Sequence, residues 1–208
     1  MILPGGMIFP KTHKMGLRMT RTHFLREGTM KQKGLWGFLF VAALGTVLHF
    51  LYEWSGESTL AALVSGVNES VWEHMKLLFV PVFLWLVLTG DDWVAGAVSL
   101  LAGLAFIPAA YYAYTGALGL RVAAVDIALF YLAAALTFWL RRHLEGKWEG
   151  RWQQAAGLVV LTVLALAFLV WTFYPPRFPL WQDPVSGSFG LLSSETLRCD
   201  WLSFSLLG

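Results

Sequence analysis

Sulfur and charge are both scarce in this sequence. A single cysteine, Cys199, excludes any intrachain disulfide and leaves the redox compartment unreadable from sulfur. Asp, Glu, Lys and Arg make up 13% of the chain, about half the share found in an ordinary soluble domain. With 57% hydrophobic residues and a mean hydropathy of +0.61, a soluble globular domain is excluded. The stretch before the first apolar run has no hydrophobic segment of its own, so it does not read as a cleavable signal peptide. No H-E-x-x-H or comparable metal motif occurs, and no internal repeat is visible.

What the chain does have is apolar runs of membrane-crossing length, at 35–54, 68–89, 93–114, 122–140 and 154–174. They predict an all-α membrane protein, a bundle of about five transmembrane helices joined by short connections. Residues 1–34 form a basic arm, 35–174 the bundle, 175–190 an irregular lid and 191–208 a tail, with arm and tail expected to be disordered. Seven basic residues from Lys11 to Lys33 precede the first run. With the amino-terminal side cytoplasmic, eleven of the fifteen Lys and Arg fall in inside segments, which fixes the expected orientation. The basic arm then reads as a topogenic signal rather than as a nucleic-acid contact.

The second run carries a specific constraint. Its purely apolar part, 77–89, would rise only about 20 Å as a helix. To cross about 30 Å the helix must extend back through Lys76, His74 and Glu73 toward Glu69, drawing those groups into the outer membrane zone. Asn68 is one candidate cap, and Ser70 with Glu73 offers a capping box one turn later. Pro81 falls mid-span and frees a carbonyl that neighbours must satisfy.

On the first helix His49 and Glu53 share a face at i, i+4, and Glu69 and Glu73 repeat that spacing on the second. Topology brings Asp126 and the group Tyr111, Tyr112 and Tyr114 to the same level. Ionisable groups inside a membrane mark sites or pathways, because each costs roughly 2.5–3.5 kcal/mol at the bilayer centre on insertion scales. His49 and His74 are candidate ligands for Zn²⁺ or another divalent metal, and Glu53, Glu73 and Asp126 are candidate catalytic carboxylates. Asn68, Glu69 and Tyr112 are candidate substrate contacts. The plainer alternative makes Glu69 and Glu73 capping residues, with Lys76 pairing Glu73 at i+3.

Beyond the last run, Pro175, Pro176 and Pro179 rule out helix, yet the segment is too aromatic for a linker. It is expected to fold back over the outer mouth of the bundle, bringing Arg177 and Asp183 within reach of the site.

The motifs L-H-F-x-Y-E-W, N-E-S-x-W-E-H-x-K-L, the Y-T-G after the third span and P-P-x-x-P-L-x-x-D-P-x-S/T-G resemble a family of small bacterial multi-helix membrane proteins catalogued as a domain of unknown function. The likeness covers about residues 31–190. It implies a bacterial inner-membrane location and brings no activity to carry over. Family members resemble a chain beginning near Met30, so 1–29 reads as an upstream start. The expectation is an outward-facing His/carboxylate site acting on a lipid-like substrate as a metal-assisted hydrolase. A carrier, a binding protein or a structural subunit is the alternative. Membrane lipid is the expected partner, nucleic acid is not, and a homo-oligomer is left open.

Overall fold

The computed structural model describes residues 12–90 and 92–191, with side chains from residue 33 onward. Expectations that fall on 1–11, on Asp91 and on 192–208, most of the tail among them, lie outside the described residues. Among the described residues every regular element is a helix: α1 (Thr12–Trp54), α2 (Thr59–Ala62), α3 (Val71–Thr89), α4 (Trp93–Leu118), α5 (Ala123–Leu144) and α6 (Arg151–Phe173). Five of these are long and apolar enough to cross a membrane, α1 through its part Lys33–Trp54. Helix α1 is continuous through 12–34, the stretch expected to be a disordered arm.

Helix α3 is the hub of the bundle. It packs against α1, α4, α5 and α6, which otherwise contact one another in the order α1–α5–α4–α6. Its most apolar window is 61% buried, against 22–44% in the other four. The outer helices keep apolar side chains on the bundle surface, as on α6 with Val159, Val163, Leu166 and Val170, where lipid would take the place of a protein core.

Small residues set how closely the helices approach. A Cβ on Gly103 would meet Thr137 Oγ1 and the Ala133 carbonyl of α5, and Ser99 and Ala95, one and two turns before it, are fully buried. Pro81 denies the Leu77 carbonyl its i+4 donor. That oxygen faces Gly45 of α1, where an added Cβ would lie 3.1 Å from it, so a bare Cα–H approaches the freed carbonyl.

Helix α3 begins at Val71, so Glu69 precedes the helix instead of occupying its first turn. Ser70 is the cap, accepting a hydrogen bond from Glu73 N–H. Asn68 acts one step earlier, its Oδ1 accepting from Ser70 N–H at 3.0 Å. At the far end of the bundle Asp92 caps α4 through Val94 and Ala95 N–H. Asp92 also accepts from Gln154 Nε2 and Gly146 N–H, tying the α3–α4 and α5–α6 turns together.

Candidate functional site

Where α1 ends and α3 and α5 begin, two chambers of about 290 and 300 Å3 lie side by side. They share Glu69, His74, Ala123, Asp126 and Phe130 as a common wall. The first extends between α3, α4 and α5, bounded by Ile107, Tyr111, Arg121 and Leu129. The second extends between α1, α3 and α5, bounded by Thr46, His49, Phe50, Leu77, Ile127 and Tyr131.

The common wall is organised around one carboxylate. Glu69 Oε2 lies 3.6 Å from His74 Nε2, and Oε1 lies 3.9 Å from His49 Nε2. The two rings are 5.6 Å apart. These separations exceed a hydrogen bond, so the carboxylate lies beside both imidazole nitrogens without being bonded to either. His74 Nδ1 sits 3.0 Å from the Ser70 carbonyl, which can only accept, so Nδ1 carries the proton. In neutral His74 the Nε2 lone pair therefore points toward Glu69 and the chambers. The Glu69 side chain is 53% exposed, with His49 at 34% and His74 at 24%, so the cluster is open to a ligand.

Two further contacts fix the surrounding wall. Tyr114 donates a hydrogen bond to Asp126, in the first turn of α5. Thr46 Oγ1 gives its single proton to the Ala42 carbonyl, so Tyr131 is the donor in the 3.0 Å contact between their hydroxyls, which closes α1 onto α5. Arg121 makes no hydrogen bond or ion pair among the described residues, although it lines the first chamber.

The segment after α6 returns over this end of the bundle. Trp72 N–H, an otherwise orphan donor at the start of α3, donates to the Leu180 carbonyl at 3.0 Å. Trp181 packs against Trp72 and Trp171 with ring centroids 5.1 and 5.2 Å apart. Asp183 is buried and holds the following turn, accepting from Val185 N–H at 2.8 Å and Ser186 Oγ at 2.5 Å. The turn sets Pro184 and Val185 against the first chamber.

The structure thus brings together His49, His74, Glu69 and Asp126 of the residues singled out from sequence, and places Asp183 behind the roof. Others lie elsewhere. Glu53 is exposed and lines neither chamber, as do Arg177 on the lid and Tyr112, whose neighbour Tyr111 faces the chamber instead. Glu73 is 2% exposed and turned inward, 2.6 Å from Lys76, the i+3 pairing that the plainer reading offered. Lys76 is fully buried and also donates to the Ala62 carbonyl and Thr172 Oγ1, both at 2.9 Å. Sequence reasoning passed over Arg121 and Tyr131. A four-residue step from Ile127 along α5 was the available signal for Tyr131, while Arg121, in the connection before α5, gave none. No three or more His, Cys, Asp or Glu form a group suited to hold a metal ion among the described residues.

Five membrane-length helices around a half-open His–carboxylate cleft, roofed by a returning aromatic segment, define a multi-pass helical membrane protein. The chain belongs to the family of unknown function DUF6512, which it matches over residues 25–191. No curated protein and no solved structure gives a significant match.

Proposed function

We propose that this cleft binds a lipid-like amphiphile and performs proton-transfer chemistry on its polar part, with His74 as general base and Glu69 as the carboxylate that stabilises the resulting imidazolium. The observation that carries the reading is the single carboxylate within 4 Å of both imidazole Nε2 atoms at the common wall of two mostly apolar chambers. The Ser70 carbonyl orients the His74 ring and leaves Nε2 to accept a proton from water or a substrate hydroxyl. Hydrolysis of an ester-like bond is the simplest reaction such a pair supports. The distribution of Lys and Arg supports a cleft on the outer, non-cytoplasmic face, and the reading takes the membrane to be a bacterial inner membrane. Transport fits less well: beyond the wall the chambers are lined by Leu77 and Ile107, and the buried Ser99 and Thr137 hydroxyls bond to carbonyls of their own helices.

The test is turnover of a panel of short-chain lipid esters by protein in mild detergent. His74→Ala and Glu69→Gln each lower the rate on the order of a hundredfold or more, whereas Glu53→Gln leaves it unchanged. Absence of turnover by the native chain across the panel would refute the enzymatic reading.

A second reading, Zn²⁺ or another divalent metal with His49 and His74 as ligands, has one observation in its favour. The bond from His74 Nδ1–H to a backbone carbonyl is the orientation that metal-bound imidazoles adopt. Metal content by mass spectrometry, lost in His49→Ala/His74→Ala, would support it. A native chain free of metal after purification without chelator, and binding none on addition of Zn²⁺, would discard it.

A further inference from the structure

The two chambers are close to equal in volume and share one wall, which carries Glu69, His74 and Asp126. From this we infer that the ligand is a two-chain lipid, one acyl chain in each chamber and its polar branch point against Glu69 and His74. The inference rests on the amphiphile reading above and narrows its substrate class.

Apart from the shared wall, each chamber has its own mainly apolar boundary. Val71, Ile107 and Leu129 line the first, and Phe50, Leu77 and Ile127 the second. A single-chain ligand would fill one and leave the other to solvent or to a second molecule. A two-chain lipid fills both, and their combined volume falls in the range of ordinary ligand pockets, about 300–1,000 Å3, whereas each alone sits at its lower limit. Access fits as well. Phe50 and Ile127 line the second chamber and are also exposed on the apolar surface of the bundle, so this chamber borders the hydrocarbon from which a chain would enter. The first is roofed by Pro184 and Val185. A lipid so placed sets the linkages at its branch point beside His74 Nε2, the atom the proposed chemistry uses.

The experiment is native mass spectrometry of the protein in mild detergent, titrated with dioctanoylphosphatidylcholine and with octanoyl-lysophosphatidylcholine. The native chain binds one two-chain molecule and up to two single-chain molecules. Thr46→Trp fills the second chamber and Leu129→Trp the first. Each alone lowers affinity for the two-chain probe about a hundredfold while sparing one single-chain site. Ile107→Phe repeats the test of the first chamber should Leu129→Trp fail to fold. If either chamber can be filled without loss of two-chain binding, or if the native chain binds the two-chain probe no more tightly than the single-chain one, the inference is wrong and the amphiphile reading survives. If the native chain binds neither probe, both fall.

Discussion

Replacing Lys76 with Met should be among the most damaging single changes in this bundle. Lys76 is fully buried, and its three donors are all used, by Glu73 at 2.6 Å and by the Ala62 carbonyl and Thr172 Oγ1 at 2.9 Å. Met fills a similar volume but leaves the Glu73 carboxylate with only the Val67 N–H at 3.2 Å besides its lost partner. Removing one member of a buried pair costs about 3–5 kcal/mol. Glu73→Gln is milder, about 1–2 kcal/mol, because the amide oxygen still accepts from Lys76 and all three ammonium donors keep acceptors. The double variant Glu73→Gln/Lys76→Met should be more stable than Lys76→Met, since no buried charge is then left alone. Thermal unfolding in mild detergent, followed by tryptophan fluorescence, reads this as a Tm drop on the order of 10 °C for Lys76→Met and a few degrees for Glu73→Gln. Equal damage from the two single variants would refute the argument. Turnover per folded molecule adds a second reading: Glu73→Gln leaves it intact, whereas Glu69→Gln lowers it on the order of a hundredfold or more without a comparable loss of stability.

Other consequences are open to similar measurements. Burial alone would raise the Asp92 carboxyl, but donors from Ala95, Gln154, Gly146 and Val94 outweigh it and hold Asp92 below the usual carboxylate range. Its contribution to stability is therefore present above the unfolded-state value and lost as pH falls through the folded one. A pH series of melting curves should show less acid sensitivity in Asp92→Asn than in the native chain, and Asp92→Ala should cost about 1–2 kcal/mol at neutral pH. Gly157→Ala places a Cβ 2.6 Å from the Trp93 backbone and should destabilise by about 1–3 kcal/mol, whereas Gly116→Ala meets nothing within 4 Å and should gain roughly 0.5–1 kcal/mol. Matched melting curves decide between them. Trp181→Ala removes the ring that anchors the returning segment on Trp72 and Trp171. Amide exchange at 180–190 should then rise ahead of the rest of the bundle; uniform protection would mean that the backbone bond from Trp72 to Leu180 holds the roof unaided.

Hydropathy made the five helices legible, because a membrane-crossing run needs about 20 apolar residues and few sequences supply them by accident. The level of the site was legible for a related reason: the apolar part of α3 is too short, so its polar start had to lie at one end of the bundle. Which residue faces which neighbour was not. Glu73 and His74 are adjacent and diverge by about 100° on the helix, and nothing in the local sequence says that α1 and α5 pack on the His74 side while α2 and α6 pack on the Glu73 and Lys76 side. Tyr111 and Tyr112 pose the same ambiguity on α4. The choice is made by tertiary packing, through contacts such as the Gly45–Leu77 and Gly103–Thr137 approaches, whose partners are far apart in sequence.

The two fates of the carboxylates at the start of α3 explain why charge survives here at all. Glu73 and Lys76 form a closed unit with every ammonium donor satisfied by α2, α3 and α6, which makes them a structural tie between the loop, the hub helix and the last helix. Glu69 sits just before the helix on a turn built by Asn68 and Ser70, is half exposed and has its two imidazole neighbours beyond hydrogen-bond distance. A structural charge needs the first arrangement, since an unsatisfied buried ion costs more than any fold-specific benefit it brings. A charge kept for binding or proton transfer needs the second, because a partner already at bonding distance would have to be displaced before a substrate could take its place. Stability should therefore track Glu73 and Lys76, and ligand affinity and turnover should track Glu69 and His74. A variant series in which all four moved both quantities together would show that the bundle does not separate the two tasks.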